Sequence, residues 1–285
     1  MIQIISMWVA DIDNTLTQFE FFPDGNHQEI EVLKPGPVTC QALEQMHKEG
    51  ILCCLASGRP LWQELSDHYQ AWGLSFQFDV IIGLNGAVVW DTKKNTQKKY
   101  HELQPESLKK IIKSMDRFHL NPFLYREGYE LCAHPDPMME EALKRHGTKI
   151  EYSGNEEALW QTPTAKLLYR CETEEQGQEV MDYGLSIANE EFTCFRTNPL
   201  LVEFQSPLCT KGSALEAYCK DNNIDIQNVI AFGDAENDVE MLKKAGWGVC
   251  VSNGMQACKD AANDITEHQA GDDGVGHYLY DHHLI

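Results

Sequence analysis

Asp11 and Asp13 stand one residue apart in Asp11-Ile12-Asp13-Asn14-Thr15, directly after an apolar run over residues 4–10. Two carboxylates delivered to the end of a buried strand repel each other. A hard divalent cation such as Mg2+ offsets that repulsion and keeps waters and open positions for phosphate oxygens. A carboxylate in such a place can also act as a nucleophile toward phosphorus. On local grounds alone, an Asx turn or a helix cap accounts for the same residues.

Three more polar clusters follow apolar runs or open helices in the same manner. Ser57-Gly58-Arg59 comes after residues 51–55 and before Pro60, where a hydroxyl and free backbone N–H groups can receive an anion, or where Ser57 is a plain N-cap. Lys211-Gly212 opens a helical pattern; a cation there opposes the helix dipole and needs either a nearby anion or full solvation. Gly233-Asp234-Ala235-Glu236-Asn237-Asp238 follows the apolar residues 229–232 and adds oxygen ligands, with an N-cap reading open for Asp234 or Asn237. Four such clusters at four strand ends of one sheet exceed what capping alone predicts.

The elements that must position them are legible as patterns. Short apolar runs alternate with helical periodicity over residues 1–84 and again over 207–285, which predicts an α/β fold with a parallel, Rossmann-like sheet. Ligands bind beyond the carboxyl ends of the strands in such sheets. Between these stretches, residues 85–206 read as strand pairs with longer helices, an inserted antiparallel α+β domain. The 285 residues suffice for two modest domains. Apolar residues make up 42% and charged residues 24%, so disordered and fibrous classes are excluded. A net charge of −21 argues against a nucleic-acid binder or a protein of anionic membrane surfaces. The early apolar run is too short for a membrane span, which needs roughly 18 residues. Ten scattered cysteines without a C-x-x-C motif point to reduced thiols in a cytoplasmic protein.

The ordered set DIDNT (11–15), SGR (57–59), KG (211–212) and GDAENDVEML (233–242) resembles the four motifs of the haloacid dehalogenase superfamily of phosphatases. The insert beginning at Asn85-Gly86-Ala87 is similar to the cap of its Cof-type subfamily, subfamily IIB (a C2B-type cap). The resemblance continues through Asn253-Gly254, residues 261–266 and Asp273-Gly274-Val275. It implies a Mg2+-dependent phosphatase acting on a small phosphorylated metabolite, a sugar phosphate being the preferred class, with the cap closing over the site. Asp11 is then the nucleophile, and Asp13 the group that protonates the leaving oxygen and later activates water. The metal falls to the Asp11 carboxylate, the Asp13 carbonyl and Asp234, with Asp238 in the same shell or the next. Lys211 neutralises Asp11 and the phosphoryl group, which answers the dipole objection. Ser57 and Gly58 bind phosphoryl oxygens, and Asn85 and Asn237 contact phosphate or the cap side. The family usually has Gly where this chain has Asn14; if the position needs positive φ, Asn is the least costly replacement.

Two alternatives stay open at this level: a phosphomutase of the phosphomannomutase type, and a phospholigand-binding module without turnover. Asp281-His282-His283 has the letters of another phosphoesterase motif but reads as a frayed tail. His27 falls in a loop expected to be a mobile hairpin, Trp62 and Trp72 read as core or interface aromatics, and Cys53-Cys54 as buried strand residues.

Overall fold

The strand Met7–Ala10 is buried along its whole length and alternates its side chains between two apolar layers, Trp8 and Ala10 on one face, Met7 and Val9 on the other. It is the middle of an eight-stranded sheet in the computed structural model, which describes residues 4–20, 31–32, 34–60, 63–144 and 149–285. The strand order is Asp264–Ile265, Trp247–Cys250, Val229–Gly233, Met7–Ala10, Leu52–Ala56, Val80–Gly83, Val88–Asp91 and Thr96–Lys99. The first six are parallel and the last two antiparallel. Ala10 lies opposite both Phe232 and Leu55, so the chain leaves these three neighbouring strands at one level. Asp11, Ser57 and Asp234 therefore emerge on the same rim, at the point where the strand order turns back.

Helices cover both faces. Pro37–Lys48 and Gly274–Asp281 pack on the Trp8 side, through Leu43, Met46, Tyr278 and Leu279; Lys211–Asp221 and Val239–Lys244 pack on the Met7 side, through Leu215, Tyr218, Met241 and Leu242. Residues buried on both faces read as continuous apolar runs, which is why these strands were visible in the sequence.

The chain divides into two compact units, residues 1–100 with 210–285, and residues 101–209. The insert expected over 85–206 thus begins too early: Val88–Asp91 and Thr96–Lys99 extend the first unit's sheet as a hairpin. An antiparallel hairpin has the same local pattern whichever sheet it joins, so periodicity could not assign it. The second unit carries a six-stranded sheet in the order Lys149–Tyr152, Tyr129–Cys132, Pro122–Arg126, Leu167–Arg170, Leu201–Gln205, Thr193–Asn198. Its pairings are antiparallel except the edge strand Lys149–Tyr152. Pro105–Met115 and Glu174–Ile187 bury Leu108, Ile111, Ile112 and Val180 against one face.

Candidate active site

Asp11 is the first residue beyond its strand, and its N–H donates to the Phe232 carbonyl at 3.0 Å. Its Oδ1 accepts from Lys211 Nζ at 2.6 Å, and the same ammonium donates to Asp238 Oδ1 at 2.7 Å. Lys211 is wholly buried. It opens the helix Lys211–Asp221, which the Thr210 hydroxyl caps by accepting from Ser213 N–H while the Ser213 hydroxyl accepts from Thr210 N–H. The anions that a cation at this helix end requires are Asp11 and Asp238. Burial alone would lower the Lys211 pKa, but these two carboxylates hold it above the ordinary amine range.

Asp234 follows the strand Val229–Gly233, and its Oδ1 accepts from the Thr15 hydroxyl at 3.0 Å. Asp238 has no exposed surface, and its Oδ2 accepts the N–H groups of Asp234 and Ala235 at 3.0 and 3.1 Å. It thereby fixes the loop that carries Asp234 while its other oxygen holds Lys211. One carboxylate oxygen from each of Asp11, Asp234 and Asp238 lies within 4.8 Å of the other two. Burial raises the Asp11 carboxyl well above its usual range, Lys211 opposes that rise, and Asp238, Asp234 and Asp13 reinforce it. Burial, then the Asp238 charge, push Asp234 up to about 7. Three carboxylates thus face one ammonium, leaving two negative charges uncompensated, and a divalent cation with a preference for oxygen fits both the charge and the donor set. The site can hold a metal.

Asp13 projects differently. Its side chain is forked by Arg59, with Nε to Oδ2 at 3.0 Å and Nη2 to Oδ1 at 2.6 Å. The loop that follows Asp11 and carries Asp13 is wound around the Ile12 carbonyl, which accepts from the N–H groups of Leu16 and Thr17 and from the Thr17 hydroxyl, each at 3.0 Å. Asn14 has φ of +59°, the left-handed conformation in which Asn substitutes for Gly at least strain. Its carbonyl accepts from Asn253 Nδ2 at 2.8 Å.

Ser57 is buried, donates its N–H to the Ile82 carbonyl at 2.8 Å and accepts the Asn85 N–H on its own carbonyl at 3.0 Å. Its hydroxyl oxygen accepts the Arg59 N–H at 3.1 Å. Ser57 is therefore a turn residue, and the described helix starts only at Gln63, so the helix-cap reading does not hold among the described residues. Asn85, at φ +57°, accepts from Asn237 Nδ2 at 3.1 Å. A Cβ at Gly58 would lie 3.0 Å from the Asn85 amide oxygen, so Gly58, Asn85 and Asn237 meet although they come from three loops. All the residues singled out on sequence, Asp11, Asp13, Ser57, Gly58, Asn85, Lys211, Asp234, Asn237 and Asp238, lie in the first unit. Sequence reasoning gave no role to Thr15 or Arg59; both lie inside quoted motifs, which was the available signal.

His47, Cys53 and Asp79 form a second metal-compatible group. Lys93 Nζ lies 2.7 Å from Asp79 Oδ1, the Trp8 indole N–H donates to Cys53 Sγ at 3.0 Å, and burial pushes the Cys53 thiol up to about 12. Its charges are matched without a metal. Trp72 is core, edge-on to Phe78 at 5.7 Å between ring centroids; Trp62 and His27 lie outside the described residues. Cys53 and Cys54 are buried strand residues, and none of the ten cysteines forms a disulfide. The Asp281-His282-His283 segment is ordered rather than frayed: Asp281 ends a helix, and the His282 ring stacks on Tyr278 at 4.1 Å.

Among known proteins, the chain matches the haloacid dehalogenase-like hydrolase family over residues 8–279. It is 26% identical over 246 residues to the 5-amino-6-(5-phospho-D-ribitylamino)uracil phosphatase YitU of Bacillus subtilis, covering 85% of this chain and 88% of that one. The fold is that of a haloacid dehalogenase-like hydrolase from Bacteroides thetaiotaomicron, with a TM-score of 0.76, 22% identity and coverage of 97% and 99% of the two chains. It also matches the subclass IIB sugar phosphatase BT4131, with a TM-score of 0.75, 20% identity and coverage of 98% and 100%. The family match spans both sheets and all four motif clusters, and the chain belongs to the haloacid dehalogenase-like hydrolases.

Proposed function

We propose that the protein is a Mg2+-dependent phosphatase that hydrolyses a small phosphorylated metabolite, with sugar phosphates the preferred class, through an aspartyl-phosphate on Asp11. The observation that carries this reading is the buried Asp11–Lys211–Asp238 chain with Asp234 beside it, a site short of positive charge where a phosphoryl group must be received. Mg2+, held by the Asp11 and Asp234 carboxylates and the Asp13 carbonyl with Asp238 behind them, would supply charge neutralisation and phosphate orientation.

Asp11 forms a bond from a carboxylate oxygen to phosphorus as the ester oxygen departs, and Asp13 gives that oxygen a proton. Asp13 then takes a proton from the water that attacks the aspartyl-phosphate, which returns Asp11 and releases inorganic phosphate. Lys211 stabilises charge on Asp11 and on the transferring oxygens throughout. The Ser57 hydroxyl and Gly58 N–H receive phosphoryl oxygens, and the Asn85–Asn237 pair steadies the same edge of the site. These groups read phosphate alone, so we assign the choice of leaving group to the inserted unit. The relatives named for a phosphoribityl compound and for sugar phosphates support a small polar ester. Ten cysteines without a disulfide support a reducing, cytoplasmic setting, and among the described residues no helix is long and apolar enough to cross a membrane.

The test is phosphate release from an aryl phosphate and a sugar-phosphate panel, with Mg2+ or with EDTA, by wild-type and Asp11→Asn protein. Metal-dependent release that disappears in the variant is the expected result. Label that moves from the phosphoenzyme into sugar rather than into free phosphate would convert the reading to a mutase, and tight phosphoester binding with no release at all would end it.

A further inference from the structure

Arg59 has no part in the phosphate chemistry above, yet it makes the most complete side-chain contact in the site. Its fork meets both oxygens of the Asp13 carboxylate at once, which fixes the rotation of that group as a single hydrogen bond would not. The arginine is presented from an anchored segment. Its N–H donates to Ser57 Oγ at 3.1 Å and its carbonyl accepts from Leu84 N–H at 2.9 Å, while Ser57 is itself tied to Ile82 and Asn85. Asp13 comes from the opposite side, on the loop wound around Ile12. The two side chains are about one-quarter exposed, at 27% and 25%. A bare surface pair of this kind contributes little to stability, so its geometry calls for another explanation.

Resting on the phosphatase reading, we infer that Arg59 is the positioning residue of Asp13, orienting the group that exchanges protons with the leaving oxygen and with water. Each carboxylate oxygen keeps a second lone pair outside the fork. Asp13 can therefore carry the outgoing proton, or accept one from water, while the fork stays closed. Arg59 acts through Asp13 and needs no contact with the phosphoryl group. Lysine at this position would keep the charge and lose the fork.

The experiment uses the full-length, Mg2+-loaded protein with Arg59→Ala, Arg59→Lys, Asp13→Asn and the Arg59→Ala/Asp13→Asn double variant, on one alkyl and one aryl phosphate, with inorganic phosphate as competing ligand. Arg59→Ala is expected to lower kcat for the alkyl ester by about 10- to 100-fold, a part of what a general acid contributes. The loss on the aryl ester is smaller, because an aryl oxide departs without a proton. KM and inhibition by phosphate stay within about threefold, and Arg59→Lys restores only part of the rate. In the Asp13→Asn background, Arg59→Ala adds no more than about a twofold loss.

An equal loss in both backgrounds would overturn the assignment. So would a tenfold rise in KM and in the phosphate inhibition constant at unchanged kcat, which would put Arg59 on the phosphoryl group itself. Absence of metal-dependent turnover in the wild type would bring down the phosphatase reading together with this role, whereas an active wild type with additive variants brings down this role alone. Circular dichroism checks that Arg59→Ala folds, and Arg59→Lys carries the same comparison should it not.

Discussion

Among the described residues two lysines are buried almost completely, one in each unit, and their surroundings differ in charge balance. In the inserted unit, Lys166 pairs with Glu203 at 2.7 Å, the side chains 2% and 3% exposed. In the first unit, Lys211 serves Asp11 and Asp238 with Asp234 alongside, one cation to three. Both arrangements carry the desolvation cost of buried charge. The second sets three carboxylates against one ammonium, and that excess of negative charge is what a metal cation can use. A buried ion pair is thus no mark of a functional site by itself; an unequal one, at the carboxyl end of a parallel sheet, is where a metal fits.

The comparison can be broken in several ways. The largest effect is expected from Asp11→Asn, which keeps the shape and removes the proposed nucleophile: turnover falls by at least about 10³-fold, about 4 kcal/mol of transition-state stabilisation, with the circular dichroism spectrum unchanged. Lys211→Met should lower kcat by about 10²–10³-fold, the loss typical of removing one preorganised charge partner. For Lys166→Met the quantity to measure is stability. Taking the ammonium away from the buried Glu203 carboxylate should cost about 3 kcal/mol in a denaturant titration, and adding Glu203→Leu should recover most of it. A single variant as stable as the wild type would show that this pair is not a closed unit.

The pH dependence sharpens the same contrast. Asp234, pushed up to about 7, and Asp11, also raised, bind protons more tightly in the folded chain than in the unfolded one. Stability of the metal-free protein therefore falls as pH rises from about 4 through 7. Thermal melts of EDTA-treated protein should drop between pH 5 and 7.5, and Mg2+ should raise the midpoint more at pH 7.5 than at pH 5. A flat profile would mean that other contacts already compensate the carboxylates. The smallest effect is expected from Asn14→Gly: at φ +59° the change alters stability by less than about 1 kcal/mol, and kcat measured beside wild type stays within about threefold.

The catalytic rim was legible because its chemistry is written in contiguous residues at strand ends: an apolar run of period-breaking length, then Asp11, Ser57 or Asp234. What was not legible is pairing across the chain. Nothing local says that Asn237 meets Asn85 or that Arg59 forks Asp13, since those contacts depend on which strands are neighbours. The polar edge strand Lys149–Tyr152 escaped for a different reason: a half-exposed strand with charged residues lacks the apolar signal. The hairpin of Val88–Asp91 and Thr96–Lys99 falls inside the stretch expected to be the insert, because sheet membership carries no local mark.

The position of Met7–Ala10 in its sheet also sets a schedule for synthesis. One neighbour, Leu52–Ala56, follows soon after it, but the other, Val229–Gly233, is made only after the whole inserted unit. At about 5–20 residues per second, the central strand waits on the order of ten seconds or more with one hydrogen-bonding edge open. An unpaired apolar edge is a template for association with other chains. The inserted unit, by contrast, is contiguous and can complete its sheet before the first unit closes. Recovery of soluble protein should therefore be limited by the half of the molecule that holds the catalytic rim, and chaperone demand during expression should track the translation time of residues 101–209.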